Sequence, residues 1–417
     1  MIQHKFTWVF LTIALCAARG AAQEHYTLNG VLARAKSNNP VLKSIGFNTE
    51  IAKGDVITAG LRPNPALNNQ TLQLVRPSNF AHDTKFYQPQ NRQVWWQLTK
   101  PVALTNQRRY KIDVAEKALT IAGKAYLDAE RNILLDAGEK WLDVWYNKVT
   151  LDLFVKAKLN TDSLVQIQQV RLRNQVISAS DFTRTELLSV QYELQLKTAE
   201  QSYRNALQSL KLVMGAENEI GIDMDAPVMT MVLDAEMDSM VRQSLGARPD
   251  MQIAHDNISM AQSNIKLQKK LAMPVPELGA IWNPQNTVPY AGIFATMELP
   301  FFSRNQGEIR KSKAGLLQSE QSLTALQQQV ETEVKNTYNT YQVNRQTVDK
   351  YKDILKRSEE VLQAVKYSYT RGGTTIIDFL DAQRNWYDTG KMYYEALYNY
   401  HKSYLQLLYA TGLINQL

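Results

Sequence analysis

The chain has 417 residues, of which 44% are hydrophobic and 21% charged, the composition of a folded protein and not of a disordered one. With 18 Gly, 13 Pro and 1 Cys it is neither collagen-like nor a disulfide scaffold, and it lacks the cysteines for a zinc or iron–sulfur site. A net charge of +7 is too small over this length for a nucleic-acid footprint, and His4, His25, His82, His255 and His401 stand too far apart for a metal-hydrolase motif. Nothing in this inventory calls for an enzyme or a cofactor.

Residues 1–22 read as a secretory signal. His4 and Lys5 precede an apolar run from Phe6 to Ala18, and Gly20-Ala21-Ala22 offers the small residues of a cleavage site. The run is shorter than the roughly 20 residues of a spanning helix, which weighs against a membrane anchor. Cys16 leaves a lipid-modified N-terminus as an alternative, although Leu15 is bulky for such a signal. No later segment offers 18 consecutive apolar residues, so the mature chain is either soluble or joins a membrane as a β-barrel, the other structure that satisfies its backbone there.

Beyond the leader the chain reads as two copies of one unit, residues 23–215 and 239–417, joined by a connector at 216–238. Asp181-Phe182 to Met214-Gly215 matches Asp378-Phe379 to Thr411-Gly412. Lys100-Pro101-Val102 likewise matches Leu299-Pro300-Phe301, and Asn39-Pro40 matches Arg248-Pro249, all displaced by roughly 200 residues. Each unit is expected to open with one helix (Thr27–Gly60; Ser239–Met273) and to continue into a β-hairpin, at about 65–101 and 276–300. A very long helix follows (Asn106–Asn174; Asn305–Tyr369), then a tight turn and a second helix. The long helices would span roughly 100 Å at 1.5 Å per residue, and two shorter helices stacked end to end would match one of them. Ala115, Leu119, Ala122, Tyr126, Ala129, Ile133, Ala137, Trp141 and Val144 recur at intervals of three and four, a coiled-coil seam, while other faces stay polar. Such helices suit the wall of a hollow cylinder, and they equally suit a soluble coiled coil.

The hairpins separate these alternatives. Val94, Trp96 and Leu98 alternate with Gln93, Trp95, Gln97 and Thr99, and Leu72 and Leu74 alternate with Thr71 and Gln73. In the second unit Ala291, Ile293, Ala295, Met297 and Leu299 alternate with Tyr290, Gly292, Phe294, Thr296 and Glu298. These runs have the length of tilted strands crossing a bilayer, and Trp95, Trp96, Trp282 and Tyr290 could supply an interfacial girdle. Hairpins packed on a soluble core remain the other possibility. If the strands lie in a membrane, four are too few to close a barrel, so several chains must pool them, and three would supply twelve.

The segment Tyr369-Thr370-Arg371-Gly372-Gly373-Thr374-Thr375-Ile376-Ile377-Asp378-Phe379-Leu380-Asp381-Ala382-Gln383 resembles the helix-tip motif of the TolC family of outer-membrane efflux proteins. The duplication, the Pro-bounded hairpins and Arg248-Pro249-Asp250 agree, and the likeness extends over roughly residues 27–413. Among subgroups the chain looks closest to those serving heavy-metal cation export, from the segments after Arg248 and Asn305, with drugs or other small molecules as the alternative cargo. The resemblance implies a mainly α fold with a small β part. A homotrimer would form an α-barrel in the periplasm, joined to a 12-stranded β-barrel in the outer membrane of a Gram-negative bacterium. Its implied partners are outer-membrane lipid, a periplasmic adaptor protein and an inner-membrane pump of the resistance–nodulation–division type. The channel itself would perform no chemistry.

The same resemblance places a periplasmic gate at Asp378, Asp381 and Tyr369. Asp378 and Asp381 lie on one face of a helix's first turn, so three chains would ring an opening with six carboxylates. For Asp378, and also for Asp381, capping of the helix N-terminus is the plainer alternative. In the first unit Asp181 is present but Arg184 replaces the second acid, and Thr374 stands where some members carry an arginine partner for the aromatic latch. Arg371, Gly372, Gly373, Arg173, Ser180 and Asp181 fall at the helix tips, where an adaptor would dock; turn chemistry alone also accounts for them. Met224, Met229, Met231, Met237 and Met240 in the connector are soft enough to bind copper or silver, yet they fall outside the expected conduit and packing against the long helices is the better explanation.

Overall fold

The computed structural model describes residues 24–228, 233, 236–285 and 288–417; the expected leader, with Cys16, lies outside them, as do Met229 and Met231. Strand β1 (Glu24–Tyr26) is followed by helices α1 (Leu28–Asn38) and α2 (Pro40–Gly60), then by strands β2 (Ala66–Gln73) and β3 (Arg92–Pro101). Helices α3 (Gln107–Arg173) and α4 (Ala179–Met214) complete the first half, and β4 (Ile220–Ile222) lies in the link between halves. The order then recurs as α5 (Met237–Ala247), α6 (Pro249–Leu271), β5 (Glu277–Gln285), β6 (Val288–Thr296), α7 (Gln306–Thr370) and α8 (Ile376–Thr411).

Each single opening helix expected from the sequence is in fact two. The breaks fall at Asn39 and Arg248, each immediately before a proline, and both residues leave the helical region with ψ of 123° and 130°. Proline disfavours helical backbone in the residue before it but suits the first turn of a new helix, so the chain re-initiates at Pro40 and Pro249. Asn39 aids the restart by accepting a hydrogen bond from the Leu42 N–H.

The same two breaks receive the ends of the other short helices. At the first, α4 terminates on Gly215 in the left-handed region (φ 57°), with Asn39 Nδ2 donating to the Val213 carbonyl at 2.8 Å. A Cβ on Gly215 would stand 2.5 Å from the Asn38 carbonyl oxygen. At the second, α8 terminates on Gly412 (φ 76°), and Arg248 donates to the Ala410 carbonyl at 3.0 Å. Both glycines therefore serve positive φ and close approach together. The end-to-end stacking lets α2 with α4, and α6 with α8, run alongside the 67 residues of α3.

The main core sits where these junctions meet the middle of the long helices. Leu28, Val31 and Leu32 of α1 pack with Trp141, Leu142 and Val144 of α3, Leu210 and Met214 of α4, Val330 and Val334 of α7, and Leu405 and Leu408 of α8. Trp141 is fully buried and donates its indole N–H to the Tyr26 carbonyl at 3.0 Å. β1 and β4 pair in parallel beside this core (Glu24↔Ile220), a contact between segments too short for sequence periodicity to reveal. Met214, Met240 and Met251 are buried in the core and Met224 packs on it, so these methionines fill space. Among the described residues no cluster of His, Cys, Asp or Glu could hold a metal ion.

A buried charge network crosses the same level. Arg248, 3% exposed, donates to Asp250 through Nε at 3.1 Å and Nη2 at 2.7 Å, and to Glu333 through Nη1 at 2.7 Å. Arg131, 2% exposed, reaches Asp250 at 3.2 Å and lies over the Tyr409 ring. Burial works against ionisation of Asp250, but the Arg248 hydrogen bonds and the Arg131 charge outweigh it and hold the carboxyl below the usual range. A fork-shaped guanidinium suits this role because one group bridges two carboxylates and a helix-end carbonyl.

Towards the far ends of the long helices the core thins into two small clusters, one around Phe154, Tyr192 and Tyr387 and one around Leu164, Tyr369 and Ile376. At the opposite end, the two hairpins join into one antiparallel sheet in the order β2-β3-β5-β6, so β3 and β5 bring the two halves together.

Candidate functional site

Two regions carry the expected function, the sheet and the helix tips. Side chains alternate along a strand, so the register sorts the sheet into two faces. Leu67, Leu98, Ala280 and Ile293 form one cross-strand row, and Asn69, Trp96, Trp282 and Ala291 form the next. These residues and Leu278 give an apolar face that no helix covers; Ile293 is 91% exposed and Leu67 67%. The other face carries Asn68, Gln70, Gln93, Gln97, Thr99 and Asn283, together with Trp95, Tyr290 and Phe294.

The aromatics expected at a membrane interface therefore divide. Trp96 and Trp282 pair directly across β3 and β5 on the apolar face. Trp95 and Tyr290 point to the polar-rich face, because a one-residue step along a strand reverses the side chain, and the four do not form one girdle. Leu72, opposite Gln93, also lies on the polar-rich side. Phe301 and Phe302, 68% and 95% exposed, follow the end of β6 and so lie outside its alternating pattern.

The strands contain 8, 10, 9 and 9 residues, close to the roughly 9–11 that cross a bilayer at a tilt. Among the described residues β2 bonds only to β3 and β6 only to β5, so both outer edges keep a free row of backbone N–H and C=O groups. No helix among the described residues is long and apolar enough to cross a membrane.

The two tips are built alike. In the first, α3 ends at exposed Arg173, Gln175 takes the left-handed conformation (φ 59°), and Ser178 caps α4 by accepting from the Asp181 N–H at 3.1 Å. Ser178 also donates to the Asp181 carboxylate at 2.7 Å and shares a hydrogen bond with Ser180 at 2.8 Å. In the second, Gly372 takes the left-handed conformation (φ 78°), and the Gly373 N–H donates back to the Ser368 carbonyl at 2.9 Å. Arg371 is exposed and lies 3.9 Å over the Tyr367 ring.

Asp378 is the third residue of α8 and completes a capping box with Thr375. Its Oδ2 accepts from the Thr375 hydroxyl at 2.6 Å, the Thr374 hydroxyl at 2.7 Å and the Thr375 N–H at 3.0 Å. These hydrogen bonds, the Thr375 hydroxyl foremost, hold the exposed carboxyl below its ordinary pKa. Asp381 is exposed one turn further on and accepts from Asn385 at 3.2 Å. The structure thus gives Asp378 a capping role and leaves Asp381 the freer of the two charges.

The Tyr369 side chain is engaged with α3 and α8. It is buried, stacks on Phe379 of α8 at 5.3 Å, and its hydroxyl accepts from Gln168 and, at 3.0 Å, from Arg171, both on α3. Gln383 of α8 donates to Thr161 of α3 at 3.1 Å one level deeper. The two helical hairpins are thereby cross-tied at their tips within one chain. Gln168 and Arg171 gave no signal in the sequence, since they lie 201 and 198 residues from their partner and the repeat carries no matching aromatic in the first unit.

The model of the family described as "Outer membrane efflux protein" matches residues 240–413. The chain is 23% identical to outer membrane protein TolC of Vibrio cholerae, over 92% of this chain and 90% of that protein. It is 20% identical to the proteases secretion protein PrtF of Dickeya chrysanthemi, over 98% of this chain and 92% of that one. The fold is similar to that of CusC, solved in a study of transmembrane channel formation, with a TM-score of 0.77 at 14% identity, covering 92% of both chains. The second half of the chain thus matches the outer membrane efflux protein model, and the chain as a whole is similar in sequence to outer membrane protein TolC and in fold to CusC.

Proposed function

We propose that the chain is the outer-membrane exit duct of a tripartite exporter. The observation that carries this is a four-stranded sheet with one exposed apolar face and two open edges, set on helices about 100 Å long. Four strands cannot close a barrel, and unpaired backbone groups in lipid cost several kcal/mol each. Pairing β2 of one copy with β6 of the next removes both edges, and three copies give a 12-stranded barrel with the polar-rich face inward. The helices continue the duct through the periplasm, an adaptor protein meets the tips around Arg173, Ser180, Asp181, Arg371, Gly372 and Gly373, and an inner-membrane pump supplies the energy. Heavy-metal cations are the proposed cargo, supported by the likeness of the segments after Arg248 and Asn305.

In the assembled duct Asp381 lines the periplasmic opening as a ring of carboxylates, Asp378 holds the first turn of α8 in place, and Tyr369 ties the hairpins that must part when the opening widens. Purification in detergent tests the assembly: a three-copy cross-linking ladder and annular particles are expected, and a water-soluble monomer would refute the duct. Cargo is tested by deleting the gene. Sensitivity to zinc, copper or cobalt salts is expected, and sensitivity confined to organic toxins or loss of protein secretion would replace the metal assignment. For the gate, Asp381→Asn with Asp378→Asn is expected to raise resting conductance in planar bilayers, and unchanged conductance would remove both residues from it.

A further inference from the structure

The apolar face of the sheet has a charged boundary on the side of the helices. Lys100 is the last residue of that face on β3, two positions beyond Leu98 and directly opposite Leu278. It lines a shallow groove walled by Leu98, Leu278, Ala280, Ile293 and Ala295, which runs up the apolar face. Lys100 also lines the adjoining groove below, where the end of β3 meets the start of α3, and there it is joined by Arg62, Arg108 and Lys111. The two grooves therefore share one cation, with an apolar trough on one side and three more exposed cations on the other.

Asp113 and Glu116 line a neighbouring groove with Arg108, and there Asp113 pairs with Lys117. Among the described residues none of Arg62, Lys100 and Lys111 forms an ion pair, and Arg108 uses Nε to donate to the Gly60 carbonyl at 2.6 Å. Glu277, the acid nearest in register, pairs with Pro101 and so sits on the opposite face of the sheet. Four like charges around one groove carry a repulsive cost that a bound anion relieves.

We propose that these joined grooves hold an anionic diacyl phospholipid of the inner leaflet, with an acyl chain along Leu98, Leu278 and Ile293 and the phosphate among Lys100, Arg62 and Lys111. The proposal rests on the duct reading, in which the helix end of the sheet faces the periplasm. Two features select a lipid over a free phosphate: the apolar trough is continuous with the cationic groove, and the cations stand at the depth where headgroups begin. Phosphoglycerol lipids present a net negative charge there, whereas phosphatidylcholine does not. The bound lipid would fix the height of the barrel in the bilayer and brace the joint between sheet and helices.

The test uses the full-length assembly in detergent, titrated with palmitoyl-oleoyl phosphatidylglycerol, the matching phosphatidylcholine or inorganic phosphate and read by native mass spectrometry. The glycerol lipid is expected to be retained in preference to the choline lipid. Lys100→Gln with Lys111→Gln should cut its retention about twenty-five-fold, at roughly fivefold per cation removed from near the surface. Lys352→Gln with Lys356→Gln, exposed cations nearer the tip end of α7, should leave it unchanged. Equal retention of both lipids, an undiminished preference in the K100Q/K111Q variant, or displacement of the lipid by phosphate alone would overturn the proposal. Failure to form annular assemblies at all would instead refute the duct, so the two failures are distinguishable.

Discussion

Replacing Arg248 by alanine should cost about 3 kcal/mol of stability. Truncation of one partner in a buried, hydrogen-bonded ion pair costs roughly 3–5 kcal/mol, because the remaining charge is left without compensation. Here the lower end applies for two reasons visible in the structure. Asp250 keeps Arg131 at 3.2 Å, and the Glu333 side chain is 28% exposed and can recruit water. The Ala410 carbonyl, by contrast, loses its side-chain donor at the junction of α6 and α8. The assay is urea unfolding of the purified protein in detergent, followed by far-ultraviolet circular dichroism. Arg248→Met serves as control, since it restores most of the volume without the charge. If R248A and R248M both lie within about 0.5 kcal/mol of the parent, the network contributes nothing and the reasoning fails. The pH dependence supplies a second check. The Asp250 carboxyl is depressed in the folded state, so its contribution is present above the ordinary aspartate pKa of about 3.9 and is lost as pH falls through the lower folded value. The deficit of R248A relative to the parent should therefore shrink in strong acid.

Gly215→Ala should destabilise by at least about 2 kcal/mol, combining left-handed strain with a clash on the Asn38 carbonyl, whereas Gly372→Ala meets no atom within 4 Å and should cost only the strain, about 1 kcal/mol; equal losses in urea titrations would contradict this. Tyr369→Phe strands the fully buried Gln168 amide and should loosen the tips by about 1–2 kcal/mol, read as faster tryptic cleavage after Arg173 and Arg371, while cleavage at the parent rate would show that the tie is idle. Asp378→Ala should lower the helical signal of the tip above the carboxylate pKa and should be indistinguishable from the parent below the depressed folded value, because the capping box needs the ionised group. A pH-independent difference would assign the effect to something other than the cap.

The duplication, the long helices and the hairpins were legible because they are written in local or periodic terms. Prolines bracket the hairpins, apolar residues return every three or four positions along α3, and alternation marks β3 and β6. The helix breaks at Asn39 and Arg248 are legible too, in Pro40 and Pro249, because a proline both marks the repeat and opens a new helix. The split of the aromatics was written in the sequence as well: Trp95 and Trp96 are adjacent and cannot share a face of one strand. Which aromatics lie on a common face across strands needed the register, with Trp96 opposite Trp282.

What the sequence determined by itself is the kind and length of each element, since backbone propensity, proline placement and hydrophobic period act over a few residues at a time. What the tertiary structure alone decided is which distant groups meet: Arg248 with Glu333 and the end of α8, Tyr369 with Gln168 and Arg171, Lys100 with Arg62 and Lys111 around one groove. Those encounters depend on how 100 Å helices stack and where four strands fall into register. A single chain of residue types fixes such distances only once the whole packing is in place.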